Sequence, residues 1–319
     1  MTSSVVTGCA AYLPERIMPN SELEAMVETS DAWIRERTGI TQRHIAAEGE
    51  TTSDMATQAA KRALEKAGVS ADEIDTIIVA TSTPDKTMPS TATLVQQKLG
   101  NHGAAAFDVA AACSGFVYGM SIAHGLIASA QSKKLLVIGA ETMSRIIDWE
   151  DRGTCILFGD GAGAVVVEAQ DNTDRGVQYC RMQADGAHAD ILNTTGGVSS
   201  TQDAGTLFMS GREVFRHGVE KMANAVITGA EQAGIALEDI DYVVPHQANI
   251  RIINSIAQKL GLREDQGIVT VDKHANTSAA SIPLALAHAC DEGLIKQGKI
   301  LAMPALGAGL TWGCCIIKW

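Results

Sequence analysis

Phe107-Asp108-Val109-Ala110-Ala111-Ala112-Cys113-Ser114-Gly115-Phe116 reads as a strand running into a helix, with a cysteine at the elbow and small residues around it. A thiol so placed meets free helix amides and the positive end of the helix dipole, which favour thiolate over thiol. The same amides can hold a substrate oxyanion. The competing reading is a small apolar core residue. A second candidate, Val244-Pro245-His246-Gln247-Ala248-Asn249, puts polar side chains at the end of a strand. The other seven histidines have no comparable surroundings. His274-Ala275-Asn276-Thr277-Ser278 opens another helix, where Asn or Ser serves either chemistry or a simple cap.

Phe158-Gly159-Asp160-Gly161-Ala162-Gly163-Ala164 looks like a nucleotide loop, but a dinucleotide fingerprint must open a helix, and Val165-Val166-Val167-Glu168 follows as a strand. These glycines are read as permitting close backbone packing. Leu306-Gly307-Ala308-Gly309-Leu310-Thr311-Trp312-Gly313 reads either as backbone approaching a ligand or as a tight turn between strands.

The elements that must position these residues occur twice. At an offset of 166, Glu65, Ala67, Gly68, Ile74 and Asp75 return as Glu231, Ala233, Gly234, Ile240 and Asp241. Such a repeat fixes architecture more firmly than propensity does. Ala-rich amphipathic helices are expected over 53–67, 114–130, 213–233 and 278–290, alternating with short apolar strands over 76–80, 134–139, 242–244 and 299–303. Alternation of this kind implies an α/β fold with mixed or parallel sheets, and two halves imply two sheets sharing central helices. The halves, 1–170 with the cysteine and 171–319 with the His and Asn segments, divide at a polar turn spanning 170–176. No Pro- or Ser-rich linker separates them, so they are expected to pack as one unit.

Composition narrows the function. The chain has 319 residues, 46% of them hydrophobic, and 25 Lys+Arg against 37 Asp+Glu give a net charge of −12. Bulk binding to nucleic acid or an anionic membrane is therefore disfavoured, although a local basic patch is compatible with it. Aromatics at 4% argue against base-stacking platforms. Seven cysteines without a CxxC pair argue against a disulfide framework and a zinc site. Without a secretory signal or a membrane-spanning run, the chain is read as cytoplasmic.

Taken in order, the Cys, His and Asn segments of this duplicated chain resemble the thiolase superfamily, and most closely the β-ketoacyl-acyl carrier protein synthase III family. The resemblance extends over essentially the whole chain, including Trp33-Ile34-Arg35-Glu36-Arg37-Thr38-Gly39-Ile40, Asp151-Arg152-Gly153-Thr154 and the C-terminal glycine loop. It implies a thiolase-like duplicated fold of two mixed sheets layered with helices (αβαβα). It also implies a decarboxylating condensation of a short acyl-coenzyme A primer with malonyl-acyl carrier protein, initiating type II fatty acid synthesis.

By this resemblance Cys113 forms an acyl-enzyme, with its own amide and that of Ala308 as the oxyanion hole. His246 and Asn276 stabilise the enolate left as carbon dioxide departs. Trp33 and Arg152 sandwich the adenine of coenzyme A, with Arg37 near its phosphate. Arg216, Arg251 and Lys259 greet the acidic carrier protein, and Met88 closes the acyl pocket across a homodimer. No metal or organic cofactor is implied, coenzyme A thioester being a substrate. Two positions depart from the family's pattern: Gln258 stands where a basic residue is common, which weakens the patch, and Ala308 where Gly is common. The related readings are a relative that passes the acyl group to oxygen or nitrogen without decarboxylation, and a noncatalytic acyl-coenzyme A or nucleotide-binding protein.

Overall fold

The computed structural model describes residues 2–319. The first half runs β1 (Thr2–Tyr12), α1 (Thr52–Ala67), β2 (Thr76–Ala80), α2 (Thr91–Leu99), β3 (Ala105–Val109), α3 (Gly115–Ala128), β4 (Lys134–Thr142) and β5 (Asp160–Asp171). The second runs β6 (Gly176–Ala184), α4 (Gly211–Ala233), β7 (Tyr242–Val243), α5 (Ile250–Leu260), α6 (Ser281–Asp291), β8 (Ile300–Gly307) and β9 (Thr311–Lys318).

Local sequence explains why these elements form. In α1 the Thr51 hydroxyl accepts from Asp54 N while Asp54 accepts from Thr51 N, a reciprocal cap that satisfies two free donors. The helix stops at Gly68, φ 67°, and α4 stops at Gly234, φ 68°, a separation of 234 − 68 = 166. Both glycines hold the left-handed turn that L-residues resist. β2, Thr-Ile-Ile-Val-Ala, is buried at all five positions, as expected of a parallel strand covered on both faces.

The first sheet has the order β1-β5-β4-β2-β3, parallel across β4-β2-β3 and antiparallel elsewhere. The second repeats it as β6-β9-β8-β7, with the fifth strand reduced to a parallel bridge between Val243 and Gly267. Strands of the first sheet all come from 2–171 and those of the second from 176–318. Between the sheets lie α3 and α6, whose Phe116, Met120, Ile282 and Leu286 pack with Val137 and Val165 of one sheet and Met303 and Ile317 of the other. α1 and α2 cover the outer face of the first sheet, and α4 and α5 that of the second, which completes five layers.

One boundary differs from the sequence reading in a way that matters. The helix expected from Ser278 begins as a 3-10 turn, Ser278–Ala280, and becomes α-helical only at Ser281; the helix expected from Ser114 likewise follows a turn at Ala112–Ser114. The cause is a left-handed residue in each turn, Ala112 at φ 45° and Ser278 at φ 49°, which an α-helix cannot include. Since 278 − 112 = 166, the same elbow occurs once in each half. Each half's central strand runs against the other half's elbow: a Cβ on Gly307 would lie 2.6 Å from Cys113 N, and one on Gly139 would lie 2.2 Å from Ala279 O.

Candidate active site

The Cys113 elbow is clamped from both ends of the chain. Ala111 O accepts from Ser114 Oγ at 2.8 Å and from Thr311 Oγ1 at 3.0 Å, and Thr311 Oγ1 also lies 2.9 Å from Ala308 O. This network ties the C-terminal glycine loop to the nucleophile turn, so Cys113 and Ala308 line one cavity. Ala308 has no left-handed φ, which explains why alanine is accommodated there, whereas neighbouring Gly309 sits at φ 132°. The dipole of α3 favours an anion at Cys113, but burial opposes it and pushes the thiol up to about 12, with Ser278 acting in the other direction.

His246 follows β7, and its amide donates to Pro304 O of β8 at 2.9 Å. Its Nδ1 lies 2.7 Å from Ser281 Oγ, which also accepts from Gln247 N at 3.3 Å. The serine hydroxyl can donate to Nδ1, the arrangement in which the imidazole proton sits on Nε2. Burial drives the ring down to about 3, so it is neutral across the physiological range.

Asn276 is fixed by backbone: its N donates to Leu157 O at 2.9 Å and its O accepts from Gly159 N at 3.1 Å. Its Oδ1 accepts from Ser278 N at 2.9 Å, which leaves the amide nitrogen as a free donor. The glycine run of the first half thus has a structural purpose. A Cβ on Gly159 would lie 2.9 Å from Arg43 Cβ and 3.1 Å from His274 O, and one on Gly163 would lie 2.7 Å from Leu284 N.

Cys113, His246, Asn276 and Ala308 meet in one cavity of about 1120 Å³, whose lining also includes Trp33 and Arg37. Arg152 is not in that lining. Its guanidinium stacks directly on Trp33, 4.9 Å from the ring centroid, with Arg37 at 5.5 Å. Arg251 borders the cavity over the Phe215 ring, whereas Arg216 and Lys259 lie outside it, exposed on α4 and α5. Met88, in the loop before α2, is 78% exposed and takes no part in this chain's own cavity.

Three residues were not singled out from the sequence: Arg212 in the cavity lining, Ser281 beside His246, and buried Glu141. Ser281 belongs to the HANTSAAS run, but its partners His246 and Gln247 come from another element. Among the described residues, no cluster of three or more His, Cys, Asp or Glu is placed to hold a metal ion, and no helix is long and apolar enough to cross a membrane.

Comparison with known proteins agrees with this geometry. Residues 107–186 match the family described as 3-oxoacyl-[acyl-carrier-protein (ACP)] synthase III, and residues 230–319 match its C-terminal part. Over 99% of both proteins the chain is 54% identical to the β-ketoacyl-[acyl-carrier-protein] synthase III of Dinoroseobacter shibae. The crystal structure of 3-oxoacyl-[acyl-carrier-protein] synthase III from Aquifex aeolicus superposes with a TM-score of 0.95 at 46% identity, covering 99% of this chain and 100% of that one. That of the Pseudomonas aeruginosa protein gives 0.94 at 40% identity, covering 99% and 98%.

Proposed function

This chain belongs to the 3-oxoacyl-[acyl-carrier-protein] synthase III family, condensing acyltransferases that initiate fatty acid synthesis, and we propose that its cavity joins a short acyl-coenzyme A primer to malonyl-acyl carrier protein. The observation that carries this reading is the meeting of a helix-elbow cysteine with two neutral donors, His246 and Asn276, in one cavity. Cys113 attacks the primer thioester; coenzyme A leaves, and the acyl group remains on sulfur. The amides of Cys113 and Ala308 hold the carbonyl oxygen during this step. His246 Nε2–H and the Asn276 amide then donate to the malonyl thioester carbonyl. There they stabilise the enolate formed as the carboxylate leaves as carbon dioxide, and the enolate carbon attacks the acyl-cysteine. Neutral donors suit a transient anion, and thiol and hydrogen-bond donors supply the chemistry without a cofactor. The direct test is release of labelled carbon dioxide from malonyl-acyl carrier protein in the presence of acetyl-coenzyme A, with acetoacetyl-carrier protein as product. Acyl transfer to oxygen or nitrogen without carbon dioxide would overturn the assignment.

We assign Trp33, Arg37 and Arg152 to coenzyme A. An aromatic ring held between two planes needs about 7 Å, twice the ~3.5 Å stacking distance, so Arg152 swings off Trp33 to admit adenine. Arg216, Arg251 and Lys259 form a local basic surface for the acidic carrier protein, despite the net charge of −12. Arg251→Glu is expected to raise the KM for malonyl-acyl carrier protein about 3- to 10-fold, the scale of reversing an exposed charge. The effect grows at low salt, because screening extends over ~10 Å at 0.1 M, while use of acyl-coenzyme A barely changes. An equal effect on both substrates would remove Arg251 from the carrier surface.

The two halves, 1–170 and 171–319, are taken to work as one unit in a cytoplasmic homodimer. In that dimer Met88 reaches the partner's acyl pocket. An exposed, unbranched, large side chain fits this role, and the primers expected are acetyl and other short acyl groups. Met88→Ala is expected to extend the accepted chain length, at ~0.8 kcal/mol per added buried methylene. Competition of acyl-coenzyme A thioesters of graded length for Cys113, read by mass, checks it. An unchanged profile, or a monomer by light scattering at micromolar concentration, counts against the assignment.

A further inference from the structure

Arg43 is a wholly buried arginine. It lies in the short strand Gln42–Ile45, which pairs antiparallel with Arg16–Pro19 outside the two main sheets. Its guanidinium meets only neutral oxygens. Nη1 donates to Met18 O at 3.3 Å and to Asn20 Oδ1 at 2.9 Å, Nη2 donates to Ile156 O at 2.9 Å, and Nε has no partner. Asn20 Nδ2 donates in turn to Asp31 Oδ1 at 2.9 Å, so the hydrogen bonds leading away from the cation end on a half-exposed carboxylate. Burial lowers the guanidinium to about 10, which leaves it charged at neutral pH.

A cation taken out of water is costly unless it is closely paired, and an apolar side chain of similar volume often packs in such a place at lower cost. An unpartnered Nε–H adds to the cost. What arginine alone offers is a rigid planar fork whose donors reach several acceptors in fixed directions. Here the fork ties together Met18, Asn20 and Ile156, three points far apart in the chain.

The last of these points leads to the active site. Ile156 opens the stretch 156–159, which grips Asn276 on both sides: Asn276 N donates to Leu157 O at 2.9 Å, and Gly159 N donates to Asn276 O at 3.1 Å. The segment before Asn276 is held from the same strand, because Thr41 N and Thr41 Oγ1 donate to Asp272 O at 2.9 and 2.8 Å. The junction has no slack, since a Cβ on Gly159 would meet both Arg43 Cβ and His274 O. With Asn276 Oδ1 already bound to Ser278 N, the direction of its amide nitrogen follows from where this backbone is held.

We propose that Arg43 is a positioning residue for decarboxylation: by fixing Ile156 it holds the 156–159 stretch, and through it the amide of Asn276, against the malonyl thioester carbonyl. The inference rests on the proposed condensation. Arg43 does not line the cavity and touches no substrate, so its contribution is orientation rather than binding. A donor misplaced by ~1 Å costs up to about 100-fold in rate.

Arg43→Met keeps the length of the side chain and removes the fork. Its release of labelled carbon dioxide is expected to fall about 10- to 100-fold. The KM for malonyl-acyl carrier protein stays nearly unchanged, the mark of an interaction that matters only in the transition state. Acylation of Cys113 at saturating acetyl-coenzyme A, read by mass, stays at the wild-type rate. Combined with Asn276→Ala, Arg43→Met should cost nothing more, because orienting an amide that is gone has no further value. Losses that multiply in the double variant, or acylation and release that fall together, would make Arg43 a general scaffold and overturn the proposal.

Arg43→Lys decides the matter even if Arg43→Met does not fold. It keeps the buried charge, but one ammonium cannot span the three acceptors, so release falls about threefold or more while acylation holds. Wild-type release in Arg43→Lys would mean that charge alone suffices, and it overturns the positioning role. Absence of carbon dioxide release from the wild type overturns the proposed function, and this role with it; release that both Arg43 variants retain overturns this role alone.

Discussion

Cys113→Ala is expected to abolish the mass gained on mixing with acetyl-coenzyme A and to lower condensation by about 10⁴-fold or more, the scale seen when a covalent nucleophile is removed. Cys155→Ala and Cys315→Ala are expected to retain the mass gain. The difference lies in access rather than acidity. Burial pushes Cys155 up to about 11 and Cys315 well above its ordinary value, and Cys113 is no more acidic than these at about 12. What separates Cys113 is that it lines the cavity and sits at the N-terminus of α3. Neither other thiol meets a helix N-terminus within the cavity. Intact mass after incubation checks this, and acylation that persists in Cys113→Ala would sink covalent catalysis at this residue.

What was legible in the sequence was whatever local spacing encodes. Gly68 and Gly234 mark helix ends because a left-handed cap is a one-residue requirement, and the offset between them reports the duplication directly. Cys113, His246 and Asn276 were legible because each sits at a strand or helix end beside small or polar neighbours. The links between them were not, because each joins segments far apart in the chain. His246 is oriented by Ser281, Asn276 by the strand bridge at Phe158, and the nucleophile turn by Thr311. Helix periodicity also missed the left-handed elbows at Ala112 and Ser278, since a single positive φ leaves the apolar pattern unchanged while bending the chain. Glu141 lies in an apolar strand that gives no hint of the four neutral donors drawn from 81–83.

The second large effect falls on decarboxylation. His246→Ala or Asn276→Ala is expected to lower carbon dioxide release by ~100-fold or more, the scale of losing one oxyanion donor, while acyl transfer to Cys113 stays substantial. The two half-reactions separate because the donors of the first are amides near Cys113 and Ala308, which neither substitution removes.

The pH dependence sharpens the test. Burial holds His246 at about 3, below its ordinary 6.5, so the ring is the neutral donor throughout pH 5 to 8. Release of carbon dioxide should show no limb near 6.5 from this residue, and one there that disappears in His246→Ala would mean that a charged imidazole takes part.

Burial of the neutral ring also makes folding stability depend on pH. Below 6.5 the unfolded chain binds a proton that the folded chain refuses, so His246 costs stability progressively as pH falls from 6.5 towards 3. Acid unfolding of His246→Ala should therefore depend less steeply on pH over that window, whatever its stability at pH 7. Single-turnover acylation by mass, labelled carbon dioxide release and denaturant midpoints against pH separate these effects. Equal loss of acylation and decarboxylation in both variants would contradict the division of labour between the cysteine elbow and the His–Asn pair.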